Sequence, residues 1–304
     1  MTASTTPTIS VEAQQRIVDL LAKELGVTSP QVSAAVTLLD GGATVPFIAR
    51  YRKEATNNLD DTHLRTLEER LLYLRELEER RQTILASIEE QGKLTDELRR
   101  AIEQAATKQV VEDIYLPFKP KRRTKAQIAR EAGLEPLANV LLTDPTLDPE
   151  QEAVKYVKVV AAAEGVEAIN VPDAKTALEG ARDILVERFA ETADLLALLR
   201  TKLWNEGIVT STVLPGKETA EEEKFRDYYA YSETIRTIPS HRALAMFRGR
   251  TLRVLKLDLG LGDTLDAQVP HPCAALIASH FGIENRGRRA DKWLNDVCYW
   301  AWRV

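Results

Sequence analysis

The residues best suited to chemistry lie in one short basic segment, residues 118–130. No acidic residue occurs from position 115 to position 130, and Pro117 and Pro120 favour an extended chain at its start. Its six cations are Lys119, Lys121, Arg122, Arg123, Lys125 and Arg130. Cations that splay from an extended chain into a helix start suit phosphate, because unpaired N–H groups there point the same way. The pattern predicts contact with a nucleic-acid backbone.

Two alternatives for the basic segment stay open at the level of sequence. It could dock by salt bridges on the acidic helical stretches 68–79 and 89–97, or it could be a solvated loop. Thr124 and Gln127 have the spacing of a capping box, which would start a helix after the extended part. If all six cations contacted duplex phosphates, log K would fall against log salt with a slope of roughly −5.

Helix-turn-helix-like units are a second feature of the pattern. Ala129, Gly133 and Leu134 have the spacing of the turn in such a unit, and the basic lead-in strengthens this weak signal. Residues 11–25 and 29–40 also predict two helices around a short turn. For that pair a plain helical hairpin is an equally good interpretation.

Two smaller basic clusters could also contact nucleic acid. In the first, Arg50, Arg52 and Lys53 flank Phe47 and Tyr51, and structural anchoring of the two rings is the favoured interpretation. The second cluster consists of Arg286, Arg288, Arg289 and Lys292. Packing against a following domain and contact with nucleic acid are equally compatible with that second cluster.

Catalytic chemistry has no recognisable basis in the sequence. The chain lacks a Walker loop, a glycine-rich dinucleotide loop after a strand, a nucleophile elbow and an H-E-x-x-H motif. His271, Cys273, His280 and Cys298 are enough residues for zinc, but their spacing fits no common structural zinc site. We therefore expect a protein that is not an enzyme, with no metal ligand, no cofactor and no small-molecule substrate.

Composition places the chain in a broad class. With 304 residues, 44% of them hydrophobic, it can fill the cores of two or three domains. The formal net charge of −5 is mild, so any contact with nucleic acid must come from local patches. Two cysteines suit a reducing compartment, and the sequence shows neither a signal peptide nor an apolar run long enough to span a membrane. We expect a cytoplasmic protein without a membrane partner.

Hydrophobic spacing predicts a mainly α fold, a multi-lobed helical scaffold with at most one small β element. Residues 62–110 have the pattern of a long helical hairpin. One long helix is predicted from 176 to 207 and a charged, aromatic-rich helix from 218 to 236. Residues 208–214 and 251–259 have strand-like patterns and are expected to pair.

Four regions follow from these elements and from the turn residues between them. They are a disordered lead at 1–10, an N-terminal helical region with the hairpin at 11–142, a second helical lobe at 143–250 and a small mixed segment at 251–304. The second boundary rests on two prolines and acidic turn residues at 143–149.

Several long blocks of the sequence together resemble a known family. They are residues 44–54 (TVPFIARYRKE), 59–81, 84–105, 114–138, 180–191 (GARDILVERFAE) and 224–250. In this order and spacing they resemble the N-terminal portion of the Tex family, bacterial transcription accessory proteins. The resemblance covers nearly the whole chain after about residue 12.

The resemblance implies that further modules follow this region in full-length members. These are an RNase-H-like fold of the YqgF type, tandem helix-hairpin-helix motifs and a C-terminal S1 RNA-binding domain. None has a counterpart in this sequence, and the apolar stretch 297–304 resembles an interrupted helix, so we expect a truncated chain.

The implied function is a non-catalytic N-terminal scaffold of an RNA/DNA-binding transcription accessory factor, contributing to nucleic-acid binding and transcription regulation. Most of the affinity for nucleic acid would then reside in the S1 domain. The alternative is a purely protein–protein scaffold that docks RNA polymerase or other transcription factors.

Overall fold

The computed structural model describes residues 10–158, 170–217, 223–261 and 271–304. Within these ranges the chain forms fourteen α-helices and three β-strands, so the expected mainly α fold with a small β element is confirmed. No helix in the described ranges is both long enough and apolar enough to cross a membrane. The lead expected at 1–10 lies outside the described residues except for Ser10, which caps the first helix. The chain divides into two compact units after Phe118.

The first unit is built around one long helix. Its helices are α1 (Val11–Leu25), α2 (Ser29–Asp40), α3 (Val45–Tyr51), α4 (Asp61–Glu90), α5 (Asp96–Gln104) and α6 (Lys108–Tyr115). The Asp60 carboxylate caps α4 by accepting the His63 N–H at 2.8 Å, and a stripe of buried leucines follows. The helix α5 folds back on α4 through the buried Ile102, so the predicted helical hairpin is confirmed.

The helices α1, α2 and α3 cover one side of α4. Gly26 ends α1 with a φ of 67°, a left-handed conformation that glycine adopts without strain. A capping box formed by Thr28 and Gln31 then starts α2. The side chains that these three helices turn inward, such as Leu21 and Ile48, are fully buried in one core with the leucines of α4. Packing on α4 therefore fixes the short helix α3 in place.

The second unit surrounds a central helix. Its helices and strands are α7 (Lys125–Glu131), α8 (Glu135–Thr143), α9 (Pro149–Val154), α10 (Ala174–Ala190), α11 (Ala193–Glu206), β1 (Ile208–Val213), β2 (Ala230–Thr234), α12 (Ser240–Thr251), β3 (Leu255–Gly260), α13 (Pro272–His280) and α14 (Asp291–Arg303). The helices α7, α8, α9 and α14 pack on α10. Phe189 of α10 is fully buried, and its ring stacks on that of Phe281 with centroids 3.9 Å apart.

A three-stranded antiparallel sheet in the order β2-β1-β3 completes this unit. The expected pairing of 208–214 with 251–259 is confirmed, and Ser211 of β1 lies opposite Leu257 of β3. The predicted helix at 218–236 is wrong in its described part, where residues 223–228 form a 3₁₀ helix and β2 follows. The alternating residues of β2 pair with β1, and these long-range hydrogen bonds override the local helical signal.

The single helix predicted from 176 to 207 is also wrong, because two helices occupy this range. The helix α10 ends at Ala190, where Glu191 is its C-cap, and Thr192, with extended backbone angles, precedes α11. The heavily buried α10 contrasts with α11, where Leu195 is the residue fully removed from solvent. No glycine or proline marks this break, so the hydrophobic spacing runs through it undisturbed.

A close approach of α12 to β3 provides a test of the sheet packing. A Cβ atom on Gly249 would lie 2.5 Å from Cδ1 and 2.8 Å from Cγ of Leu255. We expect Gly249→Val to lower the free energy of unfolding by about 2 kcal/mol, because crowding outweighs the gain in helix propensity. Urea unfolding followed by tryptophan fluorescence measures the change. Gly260→Ala, where an added Cβ meets nothing within 4 Å, is the matched control; equal effects of the two substitutions would contradict this packing.

Candidate nucleic-acid interface

The basic segment begins at the end of a 3₁₀ turn, Leu116–Phe118, and continues into α7. The Thr124 hydroxyl oxygen accepts the N–H of Gln127 at 3.0 Å, which satisfies one of the free N–H groups at the helix start. Ala129 and Leu134 are buried on either side of Gly133, whose φ is 78°. The turn expected between α7 and α8 is therefore present.

Two carboxylates at the C-terminal end of α10, Glu187 within the helix and its C-cap Glu191, hold part of the basic segment. The Lys121 ammonium pairs with Glu191 and lies 4.0 Å from Glu187. Arg130 donates to Glu187 at 2.6 Å, and the Thr124 hydroxyl donates to the same carboxylate at 2.9 Å. These cations are thus docked internally by salt bridges. Their acceptors, Glu187 and Glu191, belong to the second unit itself and are not the stretches 68–79 and 89–97 expected for internal docking.

Glu187 is the centre of this docking arrangement. Burial raises the pKa of its carboxyl, but hydrogen bonds from Arg130 and Thr124 and the charges of Arg130 and Lys121 outweigh burial. The net result is a pKa below the ordinary value of a glutamate, so the carboxylate is ionised at neutral pH. An ionised, mostly buried carboxylate with two hydrogen-bond donors and a nearby ammonium group fixes the start of α7 against α10.

The remaining cations of the basic segment divide into paired and free side chains. Arg123 pairs with Glu131 at 2.6 Å. Lys119, Arg122 and Lys125 are exposed and form no ion pair with any residue that the structure describes. The helix α8, which would read bases in a helix-turn-helix unit, contains neither lysine nor arginine. Contact with phosphate would therefore fall to these three side chains and not to α8.

The α3 cluster, defined as Phe47, Arg50, Tyr51, Arg52 and Lys53, lies on the surface of the first unit. Phe47 is 42% exposed and Tyr51 is 65% exposed, with their ring centroids 5.4 Å apart. The Arg52 guanidinium lies 5.8 Å from the centre of the Phe47 ring. The expected anchoring of both rings is wrong, because Val45 and Ile48 occupy the buried face of α3 instead.

The cations of the α3 cluster are free. Arg50, Arg52 and Lys53 are exposed, and none pairs with a carboxylate in the described parts of the chain. Backbone hydrogen bonds hold the turn after α3, where the buried Thr56 donates its N–H to the Arg52 carbonyl at 3.2 Å. Two adjacent rings with three uncompensated cations on a fixed backbone can stack on bases and contact phosphates.

The cluster near residue 290 is largely occupied by internal contacts. The carboxylate of Asp291, at the start of α14, accepts the backbone N–H of Arg286 at 2.7 Å and that of Arg288 at 2.8 Å. The Arg288 side chain adds a third hydrogen bond at 2.9 Å. Burial raises the pKa of Asp291, but these hydrogen bonds and the Arg288 charge outweigh it and leave the pKa below its ordinary value.

The other members of this cluster differ in their pairing. The Arg286 side chain pairs with Glu284, and Arg289 lies 3.6 Å from Asp148. Lys292 is exposed and pairs with no carboxylate among the described residues. Three of the four cations are thus committed to loop and helix-start contacts, which favours a packing role for them.

His271, Cys273 and Cys298 of the second unit have contacts typical of structural residues. Burial raises the pKa of the Cys273 thiol to about 11 and that of Cys298 to about 12, so both are protonated and unreactive at neutral pH. The His271 Nδ1 atom accepts the Cys273 N–H at 3.1 Å, and its ring stacks on Trp302. In the described residues no three His, Cys, Asp or Glu side chains are grouped so that they could hold a metal ion.

A fourth basic stretch was not among the clusters expected from the sequence. From Thr234 to Leu257 the chain contains no acidic residue, and six cations occur there: Arg236, Arg242, Arg248, Arg250, Arg253 and Lys256. The absence of acidic residues over this length was the signal that could have revealed it. Half of this stretch is α12, which packs beside β3.

The fold and these surfaces define a class of protein, a helical scaffold with exposed basic clusters. Residues 144–304 match a family described as Tex central region-like, and residues 15–89 match the Tex-like protein N-terminal domain. The chain belongs to the Tex family, and the resemblance stated from its sequence blocks is confirmed.

Known relatives are similar to this chain over part of their own length. Protein tex of Bordetella pertussis is 54% identical over 308 residues, which cover all of this chain and 38% of that protein. Transcriptional accessory protein Tex of Neisseria gonorrhoeae is 53% identical over 289 residues, 95% of this chain and 36% of that protein. Human S1 RNA-binding domain-containing protein 1 is 29% identical over 265 residues, 83% of this chain and 25% of that protein. The chain therefore corresponds to 38% or less of the length of these relatives.

Proposed function

We propose that this chain is the non-catalytic N-terminal scaffold of a Tex-like transcription accessory factor and that it binds single-stranded nucleic acid directly. The exposed rings and free cations of the α3 cluster are the observation that carries the proposal. Relatives whose names refer to transcription and to an S1 RNA-binding domain support a role in transcription and RNA binding. Two buried cysteines without a disulfide support a reducing, cytoplasmic environment.

Single strands suit the α3 cluster better than a duplex does. Unstacked bases can lie on the faces of Phe47 and Tyr51, whereas the bases of a duplex are stacked on each other and present only their edges. Arg50 stands between the two rings in the sequence, and Arg52 and Lys53 follow Tyr51, so all three can contact the phosphates of the same strand. Recognition by stacking and charge is tolerant of sequence, so RNA and single-stranded DNA would both bind.

The basic segment supplies a second, weaker contact. Three of its six cations, Lys119, Arg122 and Lys125, pair with no carboxylate in the described residues and can meet phosphates without breaking an ion pair there. Three phosphate contacts on a duplex correspond to a slope of log K against log salt of roughly −3, in place of the −5 expected for six. This contribution is electrostatic and carries no sequence preference.

The α3 cluster can be tested by fluorescence anisotropy with a labelled single-stranded RNA at low and moderate salt. We expect Arg50→Ala/Arg52→Ala/Lys53→Ala to reduce the steepness of the salt dependence by about 2, since three phosphate contacts are lost. Phe47→Ala/Tyr51→Ala should weaken binding about tenfold or more at both salt concentrations, because stacking is insensitive to salt.

A matched control removes three exposed cations elsewhere in the first unit that pair with no carboxylate among the residues the structure describes, through Lys23→Ala/Lys93→Ala/Arg100→Ala. If this control and the variant of the α3 cluster weaken binding equally, general charge is responsible and the assignment to α3 is wrong. If the unaltered chain shows no salt-sensitive binding at micromolar concentration, the direct nucleic-acid role of this region is refuted.

A further inference from the structure

The outward face of α12 is apolar where a surface helix is normally polar. Leu244 is 69% exposed and Phe247 is 56% exposed, and both lie on one face together with Arg248 and Thr251. The opposite face of α12 is packed against the rest of the unit, since Met246 is buried and Gly249 is packed against Leu255. The inner face therefore fixes the helix, and the outer face lies open.

This face is surrounded by positive charge. Arg242 is held by the Tyr231 hydroxyl and Glu233, and Lys256 pairs with Asp258. The cations left over are Arg236, Arg248, Arg250 and Arg253, all exposed and without an ion pair to any residue in the described ranges. The chain as a whole carries a net charge of −5, so this concentration of free arginine is local.

We propose that the outward face of α12 is a docking surface for an acidic amphipathic segment of a partner protein. Leu244 and Phe247 would take the apolar side chains of the partner, and the surrounding arginines would pair with its carboxylates. The most exposed member, Leu244, and the neighbouring Leu252 are aliphatic and offer no planar face for a base, which favours a protein over nucleic acid. The proposal goes beyond the nucleic-acid binding assigned to α3 and uses none of its residues.

Peptide display on the intact chain tests this surface. A library of random peptides is selected on the unaltered chain and depleted on Leu244→Ser/Phe247→Ser. We expect the enriched peptides to be acidic and to carry apolar residues three or four positions apart. The most enriched peptide, measured by anisotropy, should bind the double variant and Arg248→Glu at least tenfold more weakly than the unaltered chain.

Matched controls separate this surface from general effects. Leu20→Ser alters an exposed leucine of the first unit, and Arg100→Glu an exposed arginine there without an ion pair to any described residue; each should change peptide affinity less than twofold. The variants of α12 change solvent-facing side chains, so their melting temperatures should match that of the unaltered chain.

Three results would overturn the docking surface. They are the enrichment of no peptide, the enrichment of neutral or basic peptides, and peptide binding that survives Leu244→Ser/Phe247→Ser. If that double variant instead weakens binding of single-stranded RNA, the face belongs to nucleic acid. If the α3 variants lose RNA binding but still bind the peptide, the docking surface on α12 is supported. The two binding functions would then reside on different surfaces.

Discussion

Replacing Phe189 with alanine is expected to lower the free energy of unfolding of the second unit by about 3–5 kcal/mol. The ring is fully buried in α10 and stacks on Phe281, so its removal loses both transfer free energy and a specific aromatic contact. All four tryptophans, Trp204, Trp293, Trp300 and Trp302, belong to this unit. Urea unfolding followed by tryptophan fluorescence therefore reports on this unit alone.

The control for this substitution is Phe247→Ala in the same unit. It removes the same side chain from an exposed position on α12, so the free energy of unfolding should change by less than about 0.5 kcal/mol. A large loss of stability at position 247, or a small one at position 189, would mean that α10 is not the centre of this core.

Reversing the charge of Glu187 is the second substitution with a large expected effect. Glu187→Lys would place an ammonium group among Arg130, Lys121 and Thr124, all of which now donate to or face a carboxylate. Removal of one partner from a mostly buried ion pair costs about 3 kcal/mol or more. Glu179→Lys is the control and should cost less than about 0.5 kcal/mol, because Glu179 is exposed in the same helix and pairs with no cation in the described part of the chain.

The pH dependence of Glu187 gives an independent readout of the same contact. Its pKa in the folded protein lies below the ordinary value of 4.5, so its ionised form stabilises the fold above pH 4.5. That stability is lost as the pH falls through the folded-state pKa. The difference in unfolding free energy between the unaltered chain and Glu187→Gln should therefore be constant from neutral pH to about 4.5 and shrink below it. A difference independent of pH would show that the carboxylate charge is not responsible.

Local sequence patterns predicted those parts of the fold that local interactions determine. The helical hairpin follows from the leucine spacing of α4 and the glycine after it, and both signals lie within the segment itself. The strand β2 depends on hydrogen bonds to β1, some twenty residues earlier in the chain, and no local pattern contains that information. The break between α10 and α11 contains no glycine or proline, so the local sequence pattern could not predict it either.

For the candidate interface, too, the sequence revealed which residues are present but not which residues they contact. The cations of the basic segment could be counted from the sequence, but the commitment of Lys121 and Arg130 to α10 depends on carboxylates more than fifty residues away. The exposure of Phe47 and Tyr51 could have been inferred, because Val45 and Ile48 already supply the buried face of a seven-residue helix. Aromatic character suggested core anchoring, and the spacing on α3 was the better guide.

The carboxylates around the basic segment also set the entropy available for binding nucleic acid. A cation that reaches a phosphate releases the small ions condensed there, and their gain in freedom drives association at low salt. Lys121, Arg123 and Arg130 are already neutralised by Glu191, Glu131 and Glu187, so they release no such ions unless an internal pair breaks. The segment thus offers about half of the counterion entropy that its composition suggests, and the other half is held in ion pairs with Glu131, Glu187 and Glu191.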